Sequence, residues 1–351
     1  MNILYIGPEG SHTTSRHRAN ALRRLGHEVE IVDPGAVLPA NRILRQVNVR
    51  SGYRLFTRAI LRLIQERIRD RRFDLAWING GYAISAECVR WIKTRAGVTV
   101  SYCNDDPAGP RDPSKWSTFR RAIPDYDLCV VVREFNRKEF FDLGAKNVLR
   151  VRMSYDEVAH SPLPFSAEDE AKWSSEVVFA GTWMPERGPF MEELIRRGVP
   201  LAIYGPRWEK AREWQAIKPH WRGAFASGPD YIKAIQYSKV ALGLLSKGNR
   251  DTHTQRTGEI PFIGTPLCAE RTAEHLEMFA EGSEALFWET PEECAKHCSL
   301  LLGDESFRQG LARAGKERIL SSRLGNEDIC SAVISRLPQR ESALQHAGRD
   351  A

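Results

Sequence analysis

Residues 242–270 read LGLLSKGNRDTHTQRTGEIPFIGTPLCAE. The apolar run 240–245 has the length and composition of a buried strand. It opens into a polar loop, 246–252, in which Gly248 and Asn249 are turn residues. A short helix over 252–263 and a second strand over 266–269 follow. Such a junction places free backbone N–H groups and the positive end of a helix dipole at the carboxyl edge of a parallel sheet. That is where ligands bind in such sheets.

The side chains of this stretch suit a nucleotide diphosphate. Lys247, Arg250 and Arg256 are cations within one loop and one helical turn of each other, and Asp251 and Glu259 lie eight residues apart. On a helix Glu259 falls at i+3 from Arg256, so the two share a face. They can form an intrahelical ion pair. Alternatively, the carboxylate accepts both hydroxyls of a ribose while the cation holds phosphate.

The segment DTHTQRTGEIPFIGTPLCAERTAEHLEMF resembles the carboxyl-terminal signature of the spore-maturation-protein (CgeB-like) glycosyltransferases, a branch of the group 1 glycosyltransferases. Asp251, Thr254, Arg256, Glu259, Ile260 and Pro261 match its pattern, D-x-x-T-x-R-x-x-E-I-P. Gly258 departs from it, standing where the family usually has an aromatic residue. The resemblance covers most of the chain and is most specific over 243–279. It implies an α/β chain of the GT-B fold, with two Rossmann-like domains whose parallel sheets face an interdomain cleft. The last helix of such enzymes often crosses back to the first domain. The implied activity is transfer of a sugar from a nucleotide diphosphate sugar to a hydroxyl acceptor, whether glycan, surface polymer or small molecule. The implied chemistry uses neither metal nor other cofactor. A sugar-nucleotide epimerase or hydrolase, and a non-catalytic nucleotide-sugar-binding protein, share the fold and stay open.

With 351 residues the chain accommodates two domains of ordinary size, expected at 1–160 and 161–338, with a polar, disordered tail at 339–351. A hydrophobic content of 42% and a charged content of 27% are those of a soluble globular protein. No apolar run approaches the length of a membrane span. The amino terminus reads as a strand and glycine loop rather than a signal peptide, so a cytoplasmic location is expected. The seven cysteines are scattered; Cys294 and Cys298 lie one helical turn apart with no zinc-type partner spacing, and buried, reduced thiols are expected. The net charge of +6 is local in origin. Many arginines fall within 42–72, opposed only by Glu66 and Asp70, with Leu55, Ile60, Leu61, Leu63, Ile64 and Ile68 as an apolar face. A solvated helix pair and a peripheral contact with anionic lipid or a charged polymer both fit that segment. Nucleic acid does not, because no base-stacking or DNA-reading module accompanies the charge.

From the amino terminus, a strand at 2–6, a loop at 7–13, a helix at 14–25 and a strand at 28–32 form a βαβ opening. Only Gly7 and Gly10 punctuate the loop, which is not a G-x-G-x-x-G dinucleotide motif. By the resemblance, this loop and the helix start line the cleft, which makes His12, Thr13, Thr14, Ser15 and Arg16 candidates. His12 reads either as a general base or as a plain surface group. The strand at 98–103 ends in Asn104-Asp105-Asp106-Pro107, and the family carries D-D-P here. One of the two aspartates contacts the acceptor or acts as base, the pair binds metal, or they only cap a turn. Residues 153–164 read as the interdomain linker, and Lys172-Trp173 as an exposed lead-in.

In the second half, the strand at 176–180 runs into GTWMPERG (181–188), a second strand–loop–helix phosphate site. Gly181 permits close backbone approach, and Arg187 stands where the family's loop contributes a cation. Residues 204–208 match the family's Y-G-P-x-W, placing Tyr204 beside the nucleobase, with Trp208 read equally as packing. A helix dipole contributes about 0.3–1 kcal/mol and a charge-assisted hydrogen bond roughly 1.5–3, so side-chain cations should dominate the hold on a leaving diphosphate. The catalytic candidates are therefore Arg256 and Lys247, with His12 and Asp105. The substrate-binding candidates are Arg187, Gly181, Asp251, Thr254, Glu259, Tyr204, Thr14 and Arg16.

Overall fold

The computed structural model describes residues 1–224 and 227–338, so the expected tail at 339–351 lies outside the described residues. The described residues form two compact units, 1–152 together with 329–338, and Met153–Asp328.

The first unit is a parallel sheet of β1 (Asn2–Ile6), β2 (Glu28–Val32), β3 (Phe73–Asn79), β4 (Ala96–Cys103), β5 (Leu128–Val131) and β6 (Val148–Arg150), in the order β2-β1-β3-β4-β5-β6. Its helices are α1 (Thr14–Arg24), α2 (Arg42–Arg50), α3 (Thr57–Ile68), α4 (Ala86–Lys93), α5 (Ser117–Ala122) and α6 (Glu134–Asp142). Strands that are covered on both faces read as continuous apolar runs, and Ile3, Leu4, Tyr5 and Ile6 of β1 are all buried. On α3, Ile60, Ile64 and Ile68 recur every fourth residue and all three are buried in the core. Burial of each is worth about 1.5–3 kcal/mol.

The second unit has β7 (Ser175–Ala180), β8 (Leu201–Tyr204), β9 (Trp221–Gly223), β10 (Ser238–Gly243), β11 (Leu267–Glu270) and β12 (Leu286–Trp288). Around them lie α7 (Ala167–Trp173), α8 (Arg187–Arg196), α9 (Trp214–Ile217), α10 (Pro229–Gln236), α11 (Gln255–Ile263), α12 (Ala273–Met278), α13 (Pro291–Gly303) and α14 (Glu305–Ser321), while α15 (Asn326–Ser335) begins in this unit and belongs to the first from Ile329. The order β12-β11-β10-β7-β8-β9 puts β10 beside β7. Strands added after β7 therefore grow outward on one side through β8 and on the other through β10. The carboxyl ends of β7 and β10 form the topological switch point, where α/β sheets bind ligands.

Three expectations shift. The segment after 152, read as a linker, is packed within the second unit. Met153 N donates to His253 Nε2 (2.8 Å), Ser154 Oγ to Asn326 Oδ1 (2.7 Å) and Asn326 Nδ2 to Asp156 Oδ2 (3.0 Å), all of them buried. The unit boundary thus falls at 152, eight residues before the expected 160, because buried polar bonds hold those residues to the second unit. The helix of the signature begins at Gln255, not 252, because Thr254 and Thr257 form a reciprocal capping box. Trp173 is buried against Tyr204 (centroids 5.6 Å) rather than exposed. No helix among the described residues is long and apolar enough to cross a membrane.

Candidate functional site

At the switch point two arginines converge. Arg187, at the start of α8, donates from Nη1 to Thr182 O (2.7 Å) and from Nη2 to Leu244 O and Leu245 O (3.1 and 3.2 Å), tying the ends of β7 and β10 together. It is buried, and its Nε has no hydrogen-bond partner among the described residues. Burial and the neighbouring Arg256 push its guanidinium down to about 10. Two cations held side by side in a partly buried site favour an anion between or beside them.

Arg256, in the first turn of α11, donates from Nε to Ala180 O (2.6 Å), and its guanidinium lies 5.9 Å from the ring of Tyr231. Its two Nη groups have no carboxylate or other hydrogen-bond partner among the described residues. Arg256 lines a concavity of about 200 Å³ together with Ala180, Gly181, Thr182, Tyr204, Gly205 and Pro206. The wall of that concavity depends on close backbone approach. Gly205 has φ +137°, and a Cβ there would sit 2.0 Å from Gly181 O. Trp208 Nε1 donates to the same carbonyl (3.0 Å) while its ring meets Phe179 edge-on, so Trp208 is packing.

Gly181, Tyr204 and Arg256 therefore meet in one concavity, with Arg187 directly behind it. The other candidates of this unit are not among its lining residues. Lys247 is exposed and ion-paired with Glu270, which also accepts from Leu245 N (3.2 Å). Asp251 accepts from Ser246 N (3.2 Å) and closes the loop, and Thr254 caps α11. Glu259 is buried; its Oε2 accepts from Tyr231 Oη (2.6 Å) and its Oε1 lies 3.6 Å from His160 Nε2. The ring of Tyr231 thus lies beneath the Arg256 guanidinium while its hydroxyl donates to Glu259.

In the first unit, Thr13 caps α1 by accepting from Arg16 N (3.1 Å), which leaves Thr14 as the first helical residue. Arg16 is ion-paired with Glu9 (3.0 Å), and His12 lies exposed in the turn before the helix. Asp106 accepts from Asn136 Nδ2 (2.9 Å) and packs under Gly109, where a Cβ would meet its carboxylate at 2.4 Å. It supports a turn. Asp105 is half-buried; burial pushes the phenols of Tyr53 and Tyr82 up, Tyr53 to about 12, and the charge of Asp105 adds to both. Tyr82 lines a small concavity at the carboxyl edge with Gly7, Pro8, Asp33 and Asn79.

Sequence reasoning missed Tyr231, His160, Tyr82 and Asp33, none of which belongs to a motif with its partners. It also missed a cluster. Cys268 on β11 meets Cys294 and Cys298 of α13, with all three sulfurs within 4.8 Å of one another, the one such metal-capable group among the described residues. All seven cysteines are buried free thiols, and these three lie inside the apolar core of the second unit.

The comparisons with known proteins agree with this geometry. Residues 8–151 match the family model described as Glycosyltransferase Family 4, and residues 187–325 match one described as Glycosyl transferase-like. It is a glycosyltransferase of the GT-B fold. The enzyme is similar to sucrose-phosphate synthase from Thermosynechococcus elongatus (TM-score 0.64, 12% identity, covering 96% of this chain and 98% of that one). It is also similar to Anabaena Alr3699/HepE, solved with UDP and glucose (TM-score 0.62, 13% identity, 95% and 99%). A putative UDP-N-acetylglucosamine 2-epimerase from Listeria monocytogenes shares the fold as well (TM-score 0.57, 11% identity, 95% and 94%). Among curated proteins no relative matches the sequence.

Proposed function

We propose that the enzyme transfers a sugar from a uridine diphosphate sugar to a hydroxyl acceptor, without a metal, and that it belongs to the CgeB-like branch. The observation that carries the reading is Arg256, anchored through Nε to the end of β7 and lining an open concavity, with no hydrogen bond from either Nη group to a described residue. Breaking a sugar–diphosphate bond puts negative charge on the leaving phosphate. A guanidinium fork already held in place stabilises that charge without reorganising as it develops. Arg187 adds field from behind, and the backbone at Gly181 and Thr182 lets phosphate approach. Glu259 serves the ribose hydroxyls, with Tyr231 holding its carboxylate in place. Lys247 can leave Glu270 for the diphosphate, since its side chain is exposed. Tyr204 borders the base. The uridine nucleotide is proposed because HepE was solved with UDP and with UDP-glucose.

Gly258, the departure from the branch's pattern, is consistent with membership. A Cβ there would meet Tyr155 Cδ1 at 3.3 Å, and the Tyr155 ring stacks on Phe262 at 4.2 Å. An aromatic residue from the segment after 152 already fills the space beside residue 258.

On the acceptor side, Asp105 is the proposed base, at the edge shared with Tyr82, and Thr14, Arg16 and His12 flank the neighbouring loop. A cytoplasmic enzyme in peripheral contact with the inner face of the membrane is consistent with the basic segment 42–72.

The test is donor consumption by the purified enzyme and by Arg256→Ala, with and without acceptors. A loss of about 10² or more in turnover is expected for the variant; equal rates would remove Arg256 from the chemistry. A second reading, epimerase or hydrolase, rests on the Listeria structure's likeness. It requires donor conversion with no acceptor present.

A further inference from the structure

Helix α2 buries only one of its nine side chains, Asn48. Ile43, Leu44 and Val47, at i, i+1 and i+4, are 72%, 50% and 48% exposed, and Leu55 just beyond the helix is 56% exposed. No acidic residue occurs between 42 and 62, whereas Arg42, Arg45, Arg50, Arg54, Arg58 and Arg62 do. None of these six is ion-paired with a carboxylate among the described residues, although Arg71, Arg90 and Arg137 elsewhere in the same unit all find one. Four exposed aliphatic side chains within a field of unneutralised guanidinium groups match a surface that is apolar beneath and anionic above. A solvated helix would gain nothing from the aliphatics, and a protein partner would have to supply both an apolar floor and a ring of acids.

The patch is fixed to the acceptor edge of the sheet. The chain leaves α2 through Gly52, where φ is +70° and a Cβ would sit 1.9 Å from Ser117 Oγ. Tyr53 follows with φ 63° and packs on Tyr82 (centroids 4.6 Å), which lines the concavity with Asp33 and Asn79. We propose that α2 and the turn after it dock on an anionic bilayer, bringing the edge around Tyr82 and Asp105 to the headgroups, so that the acceptor hydroxyl is carried by a lipid. The acceptor clause rests on the transfer reading above; the docking does not.

The experiment is co-sedimentation of the full-length enzyme with vesicles of phosphatidylcholine alone, and of phosphatidylcholine with phosphatidylglycerol. Binding is expected only to the anionic vesicles, to fall as salt rises, and to weaken about fivefold for each of Arg42→Gln and Arg45→Gln. Ile43→Asp/Val47→Asp should abolish it while leaving the thermal unfolding midpoint and the donor consumption measured without vesicles unchanged. Three results would overturn the docking: no binding to anionic vesicles, equal binding by the Ile43→Asp/Val47→Asp variant, or a dimer that the same substitutions dissolve with no vesicle binding. If vesicles bind but no donor is consumed, the transfer reading fails and the docking stands. If donor is consumed and vesicles are ignored, the reverse holds.

Discussion

Arg256 spends Nε on Ala180 O, and that bond decides what its two Nη groups can reach. A lysine there would keep the charge and lose both the anchor and the fork, so Arg256→Lys should recover only a small part of the activity that Arg256→Ala loses. Full recovery would mean that charge alone suffices. Tyr231 is the second residue on which the geometry turns. Tyr231→Phe keeps the ring under Arg256 and deletes the bond to buried Glu259, and a hydrogen bond to a charged group contributes roughly 1.5–3 kcal/mol. Denaturant unfolding should show that loss, and an unchanged midpoint and slope would mean the bond does not form in solution. The sequence exposed Arg256 and Glu259 because they sit three residues apart in a recognisable pattern. It hid Tyr231 and His160 because they come from 25 and 96 residues before Arg256 and carry no motif. Of the two readings the spacing left open, an Arg256–Glu259 ion pair or separate roles, the fold has no such pair and sets Tyr231 beside both residues.

At the scale of elements, apolar runs alternating with helical segments located most of the strands, whereas the two parallel sheets were what the family resemblance implied. Element ends were harder. His253 lies in a stretch with helical spacing, yet it is held outside α11, with Nδ1 2.9 Å from Glu274 Oε2 and Nε2 accepting from Met153 N. Those partners are distant in sequence and override the local preference. The turn after β8 offers a clean test of how the concavity is built. Gly205→Ala must place a Cβ against Gly181 O at φ +137°, whereas Gly198→Ala, at φ +77°, meets nothing within 4 Å. The first should destabilise by about 3 kcal/mol or more and weaken nucleotide binding, the second by about 1 with binding intact. Equal costs in urea unfolding would show that the Gly181–Gly205 approach does not shape the wall.

For the molecule as a whole, a division into two units was legible from length and motif placement, but the point of division was not. Residues 153–160 look like a linker, with prolines following, and only the partners Asn326 and His253 reveal that they belong to the second unit. Acid should reveal two further groups, one buried and one half-buried. Burial holds the His275 imidazole below its ordinary value of 6.5. At Asp127 burial alone would raise the carboxyl, but hydrogen bonds from Lys93 and Thr99 bring it below 3.8. In both cases the unfolded chain binds the proton more readily, so their contribution is present above the ordinary value and is lost as pH falls through the lowered one. Stability should therefore begin to fall below about pH 6.5 from His275, and His275→Gln should flatten that part of the profile. A parent curve flat from pH 7 to pH 5 would show the ring to be solvated.

On the proposed function, a guanidinium fixed at the switch point grips the diphosphate. Calorimetric titration of the enzyme and of Arg256→Ala with UDP, and with uridine as control, measures it directly. The expected result is a loss of about tenfold or more in UDP affinity for the variant, the equivalent of one charge-assisted hydrogen bond, with uridine affinity unchanged. Equal UDP affinity for the two proteins, or parallel losses for UDP and uridine, would contradict it.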